Sequence, residues 1–333
     1  MANVMQDFHL IKVKNALPFV HHLMHMGAPV EQLAKEAGLP LRALKDPDGG
    51  VIGEYALWQF IELAARKTGC GHLGYDCAQA YPISSSGEFG ELQIRTAATL
   101  KHCLEKFCED VLLASTASYY SLYKDVDRHW FRRIQAFGRD KASWQAEQYV
   151  IAIVIQIIRQ HTGGNWLPGR IRISSLEEPV ATPLEWRKIK LEWGCDATEI
   201  EVSNSTLALP FLPLSGSVAT VEKISRKRQR IARPNFTNLV ETQIEAHCTG
   251  IENAATQTGL SVSTLQRRLH SMNTSYSEIL ESLRIKLARQ LLSQTQTPIA
   301  EIAVDLGYQH LSNFSRAFKK KSGLSPLLYR AKS

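Results

Sequence analysis

Two stretches near the C-terminal end, forty-eight residues apart, limit what this chain can fold into more than any other feature. Ala254-Ala255-Thr256-Gln257-Thr258-Gly259-Leu260 runs into Ser261-Val262-Ser263-Thr264-Leu265-Gln266-Arg267-Arg268-Leu269. Ile302-Ala303-Val304-Asp305-Leu306-Gly307-Tyr308 runs into a segment containing Phe314-Ser315-Arg316-Ala317-Phe318. Ala255 and Gly259 match Ala303 and Gly307 at one offset; Leu265 and Leu269 match Phe314 and Phe318 at an offset one larger. Each residue type has a place in a helix-turn-helix. The alanine lets two helices approach, and the glycine can take the left-handed conformation that ends the first helix. Ser261 is a good N-cap for the second helix, and Pro298 after Thr297 suits a first helical position. The apolar pairs four apart pin the second helix onto the first.

Between the repeats, Ser275 to Gln294 reads as one helix, with Tyr276, Ile279, Leu280, Leu283, Leu287 and Leu291 along one stripe. About twenty residues at about 1.5 Å each span roughly 30 Å. That is close to the rise of about 34 Å between successive major-groove faces of B-DNA. A stiff spacer of this length places two recognition helices in adjacent major grooves on one side of a duplex.

Charge agrees with a polyanion partner. The chain of 333 residues has a net charge of +7. From Ser215 onward, 17 Lys and Arg face 8 Asp and Glu, so this third alone carries +9. Neutralising phosphates releases condensed counterions, so clustered positive charge favours nucleic acid, although a solvated basic surface has the same composition. Ser225 to Pro234 (SRKRQRIARP) holds five basic residues in ten and reads as an exposed linker.

The first 214 residues differ in pattern. Residues 10 to 68 read as helices, with Leu57, Phe60, Ile61 and Ala64 on one face, and Thr99 to Leu113 reads as another. Ser118 to Tyr123 and His129 to Phe137 form a hairpin candidate around Asp125-Val126-Asp127. Helix returns at Ser143 to His161, followed by short strand candidates at Arg170 to Ser174, Thr198 to Val202 and Thr206 to Phe211. The apolar run Tyr149 to Ile158 is half the length a bilayer span needs and contains Gln156, so it is read as a buried core helix. No signal peptide precedes it, and a soluble, cytoplasmic, nucleoid-associated protein is expected.

The expected fold is therefore an α+β N-terminal domain over residues 1–214 and a basic linker over 215–234. An all-α DNA-binding domain with two helix-turn-helix units joined by a long helix follows over 235–333. No cofactor, metal site or membrane partner is expected. The six cysteines lack C-x-x-C spacing and read as scattered thiols, with Cys103 and Cys108 as an alternative redox pair. Gly69-Cys70-Gly71-His72-Leu73-Gly74 fits G-x-G-x-x-G but follows a helix, which removes the dinucleotide reading. His21 and His25 sit four apart without an evident third ligand. No nucleophile elbow or phosphate-binding loop is present, so the chain does not read as an enzyme.

Residues 235 to 330 resemble the DNA-binding domain of the AraC/XylS family of bacterial transcription regulators. The resemblance runs through Ala288-Arg289-Gln290-Leu291-Leu292, Ile299-Ala300-Glu301-Ile302-Ala303, Leu306-Gly307-Tyr308, Asn313 to Lys319, Gly323-Leu324-Ser325-Pro326 and Tyr329-Arg330. The chain departs at Gln309, where the family favours a capping Ser, Thr or Asp, and at Asn273, where it usually has Gly. More weakly, residues 1–214 resemble the effector-binding and dimerisation domain of one branch, through Ala64 to Gly69, His72-Leu73-Gly74, Gly163-Gly164-Asn165-Trp166 and Pro168. The resemblance implies a homodimeric regulator, usually an activator, that binds promoter DNA, RNA polymerase and a small-molecule effector; its N-terminal fold is not a cupin-like barrel. Tyr119, Tyr120, Tyr123, Trp130 and Phe131 either line a pocket or form ordinary core.

Projection of the second helices leaves Ser263, Gln266, Arg267 and His270 outward on the first, and Ser312, Arg316 and Lys319 on the second with Asn313 to one side. The resemblance places base-reading positions on Ser263, Gln266, Arg267, Ser312, Asn313 and Arg316. Arg suits guanine O6/N7, and Asn or Gln suits adenine N6/N7. Lys319, Lys320 and Lys321 suit phosphates.

Overall fold

The computed structural model describes residues 8–45, 50–81, 97–126, 128–137, 143–176, 182–210 and 234–332. They fall into two compact units that do not follow chain order. One contains the described residues within 15–33 and 57–234; the other joins those within 1–14 and 34–56 to 235–333. The basic stretch at 225–233, and with it most of the expected linker, lies outside the described residues.

The first unit is built on a five-stranded sheet. The hairpin is present: β3 (Ser118–Asp125) pairs antiparallel with β4 (Arg128–Gln135), Tyr120 facing Arg133 and Leu122 facing Phe131. β7 (Thr198–Val202) lies beside β4, then β5 (Arg170–Arg172), with β6 (Lys190–Glu192) parallel at the edge. Against one face pack α5 (Leu100–Val111) and α6 (Trp144–Arg159), capped by Thr99 and Ser143 through bonds to His102 N and Ala146 N. The apolar run is confirmed as core, with Ile151, Val154, Ile155 and Ile158 at 0–1% exposure. Phe107, Tyr120 and Phe131 bring their ring centroids within 5.8–5.9 Å of one another, so among the candidate pocket aromatics Phe131 is core and Tyr120 packs against it. Trp130 is on the opposite sheet face beneath Arg172, so the five do not form one pocket. α1 (Leu17–His25), most of α3 (Glu54–Thr68) and α4 (Leu73–Ala80) complete this unit.

Two expectations are corrected here. The strand read at Thr206 to Phe211 is instead a turn of helix, α7 (Asn204–Leu207), because Ser203 accepts from Thr206 N at 3.1 Å and caps it; residue 211 itself lies outside the described residues. Residues 10 to 68 are not all helical. β1 (Leu10–Lys12) pairs antiparallel with β2 (Val51–Gly53), around α2 (Val30–Glu36).

The second unit is helical around that hairpin. α8 (Phe236–Glu245) opens on an Asn235/Asn238 capping box. α9 (Ile251–Thr258) and α10 (Val262–Ser271) form the first repeat. α11 (Tyr276–Gln294) is the spacer, capped reciprocally by Ser275 and Glu278. α12 (Ile299–Asp305) and α13 (Leu311–Ser322) form the second repeat, and α14 (Pro326–Lys332) follows. One core joins them: Leu239, Ala255, Leu265, Leu269, Ala288, Ala303, Phe314 and Phe318 are at most 3% exposed, and Phe8, Leu10 and Val51 join the cluster. Phe8 stacks at 4.4 Å on Phe236, and Val51 N donates to Thr242 Oγ1 at 2.8 Å.

Candidate nucleic-acid interface

Both repeats turn with the same backbone. Gly259 sits at φ +68 and Gly307 at φ +80. Leu260 N donates to Ala255 O and Tyr308 N to Ala303 O, both at 2.9 Å, closing the last turn of α9 and of α12. The buried alanine of each repeat thus supplies both the close helix approach and the carbonyl that terminates the helix.

The second helices start differently. Ser261 accepts from Thr264 N at 3.2 Å and begins α10 with a satisfied cap. The N-cap of α13 falls one residue beyond Gln309, at His310, whose side chain makes no capping bond. Pro298 is not at the first helical position but at the cap of α12, with extended ψ 138. At the end of α10, Asn273 takes φ +56 where the resembling family usually places glycine. Asparagine tolerates that region better than most side chains.

Leu265 and Leu269 on α10, and Phe314 and Phe318 on α13, are buried, and this fixes what faces outward. Ser263, Gln266, Arg267 and His270 are exposed on α10; Ser312, Asn313, Arg316, Lys319 and Lys320 are exposed on α13, with Lys321 beside them. The structure therefore brings each set onto the solvent side of its own helix. Arg316 Nη2 donates to Asn313 Oδ1 at 2.7 Å, so Asn313 aims the guanidinium while keeping its amide donors free for another acceptor. Ser263 Oγ lies 3.0 Å from the capping hydroxyl of Ser261.

A residue that periodicity and caps do not reveal ties the spacer to the second repeat and to the loop between α8 and α9. Arg284 of α11 donates through Nη2 to Gly307 O at 3.1 Å and to Thr249 Oγ1 at 3.2 Å, and lies over the Tyr308 ring at 4.9 Å. Partial burial lowers its pKa from the ordinary arginine value. Arg289 donates to Lys321 O and Arg330 to Thr297 O, fixing α13 and α14 against the same scaffold. No repeat or cap pattern reveals these contacts, because each arginine reaches more than twenty residues along the chain.

In the first unit, Arg133 is 3% exposed and lies 5.4 Å over the Trp58 ring. Among the described residues its Nε and Nη1 meet no hydrogen-bond acceptor. On the same sheet face, buried Glu147 accepts from Ser174, Ser175 and Thr198, and Gln135 donates to Ser174 at 3.2 Å. Burial pushes the thiols of Cys103 and Cys108 up to about 12, and burial with an Asp76 hydrogen bond pushes Cys70 up to about 11. None of the three is poised as a thiolate at neutral pH.

The paired repeats, with basic outward faces on a shared core, define a helix-turn-helix DNA-binding regulator rather than an enzyme. A helix-turn-helix domain family matches residues 254–332, and the arabinose-binding N-terminal domain of AraC transcription regulators matches residues 27–211, more than half of the chain. The protein belongs to the AraC family of transcription regulators, with an N-terminal ligand-binding domain of the family's type.

Among relatives, the ornithine utilization regulator of Pseudomonas aeruginosa is 44% identical over 105 residues, covering 31% of this chain and 27% of that protein. The porin thermoregulatory protein EnvY of Escherichia coli is 31% identical over 138 residues, 41% of this chain and 53% of that one. The chain thus spans only about a quarter to a half of these relatives' length. The transcriptional regulator CdpR from Pseudomonas aeruginosa aligns over 91% of this chain and 98% of its own, with 20% identity and a TM-score of 0.37. Among the described residues no helix is long and apolar enough to cross a membrane.

Proposed function

We propose that the chain is a cytoplasmic, homodimeric, effector-controlled activator that seats α10 and α13 in adjacent major grooves of promoter DNA and engages RNA polymerase there. The observation that carries the DNA part is the pair of outward faces on α10 and α13, where Ser263, Gln266, Arg267 and His270, and Ser312, Asn313, Arg316, Lys319 and Lys320, are exposed opposite the buried anchors. Ser263, Gln266, Arg267, Ser312, Asn313 and Arg316 read base edges, with His270 at the margin of the first face; Lys319 and Lys320 hold phosphates. The 19 residues of α11 span about 28 Å at about 1.5 Å each, which matches adjacent grooves on one side of the duplex.

Arg133 supports effector control. A buried guanidinium whose Nε and Nη1 meet no acceptor among the described residues is costly, and an anionic small molecule would complete it over Trp58. Residues 15–33 and 57–214 are accordingly the effector-binding and dimerisation part, and 235–333 the DNA-binding part.

Hydroxyl-radical footprinting on genomic fragments captured by the protein tests the DNA reading. Protection on one face, in two patches about one helical turn apart, is expected. A single patch confined to half a turn would refute the two-groove arrangement. Repeating the capture with and without metabolite extract tests effector control: an unchanged set of fragments and occupancies would count against it.

A further inference from the structure

We propose that Cys70, His72 and Asp76 form a binding site for a borderline divalent transition-metal ion of the zinc class. Cys70 Sγ, His72 Nδ1 and Asp76 Oδ2 all lie within 4.8 Å of one another. The separations are 2.8 Å from His72 to Asp76, 3.3 Å from Cys70 to Asp76 and 3.9 Å from Cys70 to His72. Around a tetrahedral zinc ion with bonds of about 2.0–2.3 Å, such donors stand about 3.4–3.6 Å apart. Each side of this triangle therefore has to change by no more than about 0.6 Å to receive the ion. One thiol, one imidazole and one carboxylate suit zinc or cobalt, whereas magnesium and calcium favour oxygen donors. Three protein ligands leave a fourth position for water, and His72 is exposed, so the ion has access from solvent.

The loop that carries the first two ligands is held from behind. Gln145 and Gln148 of α6, at 4% and 0% exposure, both donate to Gly71 O, at 3.0 and 2.9 Å. Gly74 N donates to Gln145 Oε1 at 3.0 Å, and a Cβ on Gly74 would lie 1.9 Å from Gln145 O. Gly71 lies between Cys70 and His72, so these bonds fix both ligands on the rigid core helix, as a preorganised site requires. Of the glycines in the stretch that resembles a dinucleotide loop, Gly74 is required by this close packing onto α6, whereas Gly69 sits in open space at φ +70 just past α3. In the metal-free chain the three side chains hydrogen-bond to one another. Binding replaces those bonds with metal–ligand bonds, and the Cys70 thiol proton leaves to solvent as the sulfur–metal bond forms.

The test titrates metal-free full-length protein with cobalt(II) and follows the visible spectrum, with zinc competition to reverse it. One equivalent should bind with a thiolate-to-cobalt charge-transfer band and tetrahedral d–d bands. Cys70→Ser should abolish the charge-transfer band. His72→Ala and Asp76→Asn should weaken affinity by more than about 100-fold, because losing even an outer partner of a ligand costs about 10–100-fold. Cys108→Ser and Cys195→Ser should retain the wild-type spectrum. Unchanged circular dichroism establishes that each variant is folded. Absence of binding at micromolar cobalt, binding without a thiolate band, or a band that survives Cys70→Ser would overturn the proposal.

Discussion

Gly259 and Gly323 both sit in left-handed backbone, at φ +68 and +79, but what surrounds them differs. A Cβ at Gly259 would lie 2.7 Å from Cγ and 2.9 Å from Cδ1 of Tyr55, the ring that packs on the turn of the first repeat. A Cβ at Gly323 would meet nothing within 4 Å. Gly323→Ala therefore carries only the left-handed cost, roughly 1–2 kcal/mol. Gly259→Ala adds overpacking against a ring that has no flexible end to move, about 1–3 kcal/mol more, for a total of roughly 2–5 kcal/mol. Native-state hydrogen exchange of the Leu260 and Leu265 amides reports the local opening free energy directly. Tyr55→Ala in the Gly259→Ala background should recover the overpacking part but leave the left-handed part, which a double-mutant cycle separates. Equal costs for the two glycine substitutions, or no coupling to Tyr55, would refute the idea that residues 50–55 are built into the first helix-turn-helix.

Arg267→Ala should relax discrimination by about 1–3 kcal/mol at one base position, whereas Lys320→Ala should weaken specific and scrambled duplexes about equally and lower the salt slope by about one; competition binding at several salt concentrations separates the two. Arg284→Ala removes two charge-assisted hydrogen bonds and a ring contact that join the spacer to the second repeat and to the loop leading into the first. It should reduce affinity for a two-box site far more than for a single box, measured by fluorescence anisotropy. Cys103 and Cys108, with pKa values raised from 9.0 to about 12, stay neutral in the folded chain while the unfolded thiols ionise. The stability they contribute is full below pH 9 and is lost as pH rises toward 12, so the urea midpoint should fall over that window. Their alkylation at pH 8 should be slow until the protein is unfolded, as read by mass spectrometry. Arg133→Met should abolish effector response in the metabolite-extract assay while leaving DNA affinity intact.

Much of the DNA-binding half was legible because its signals are local. Gly259, Gly307 and Ser261 act within one turn of their own position, and a period of 3.6 residues is enough to separate Leu265, Leu269, Phe314 and Phe318 from the outward side chains. The hairpin at Ser118 to Gln135 was legible for the same reason, through alternation about a short turn. Thr206 to Leu209 misled because β-branched and apolar residues suit a strand, while one capping hydroxyl at Ser203 was enough to start a helical turn. β1 and β2 were missed because three-residue strands carry too little alternation, and the partners that stabilise them are about forty residues apart.

What the sequence determined by itself is the tandem of two helix-turn-helix units and the identity of the side chains on their outer faces, since both follow from backbone periodicity and caps. Tertiary structure alone decided that Phe8, Leu10, Val51 and Tyr55 belong to the DNA-binding unit, and that Arg284 joins the spacer to the second repeat and to the loop leading into the first. It alone brought Gln145 and Gln148 up to the loop that gathers Cys70, His72 and Asp76. These depend on which distant surfaces find each other when apolar area is buried and buried polar groups are satisfied. That outcome belongs to the whole chain and is written in no single window of it.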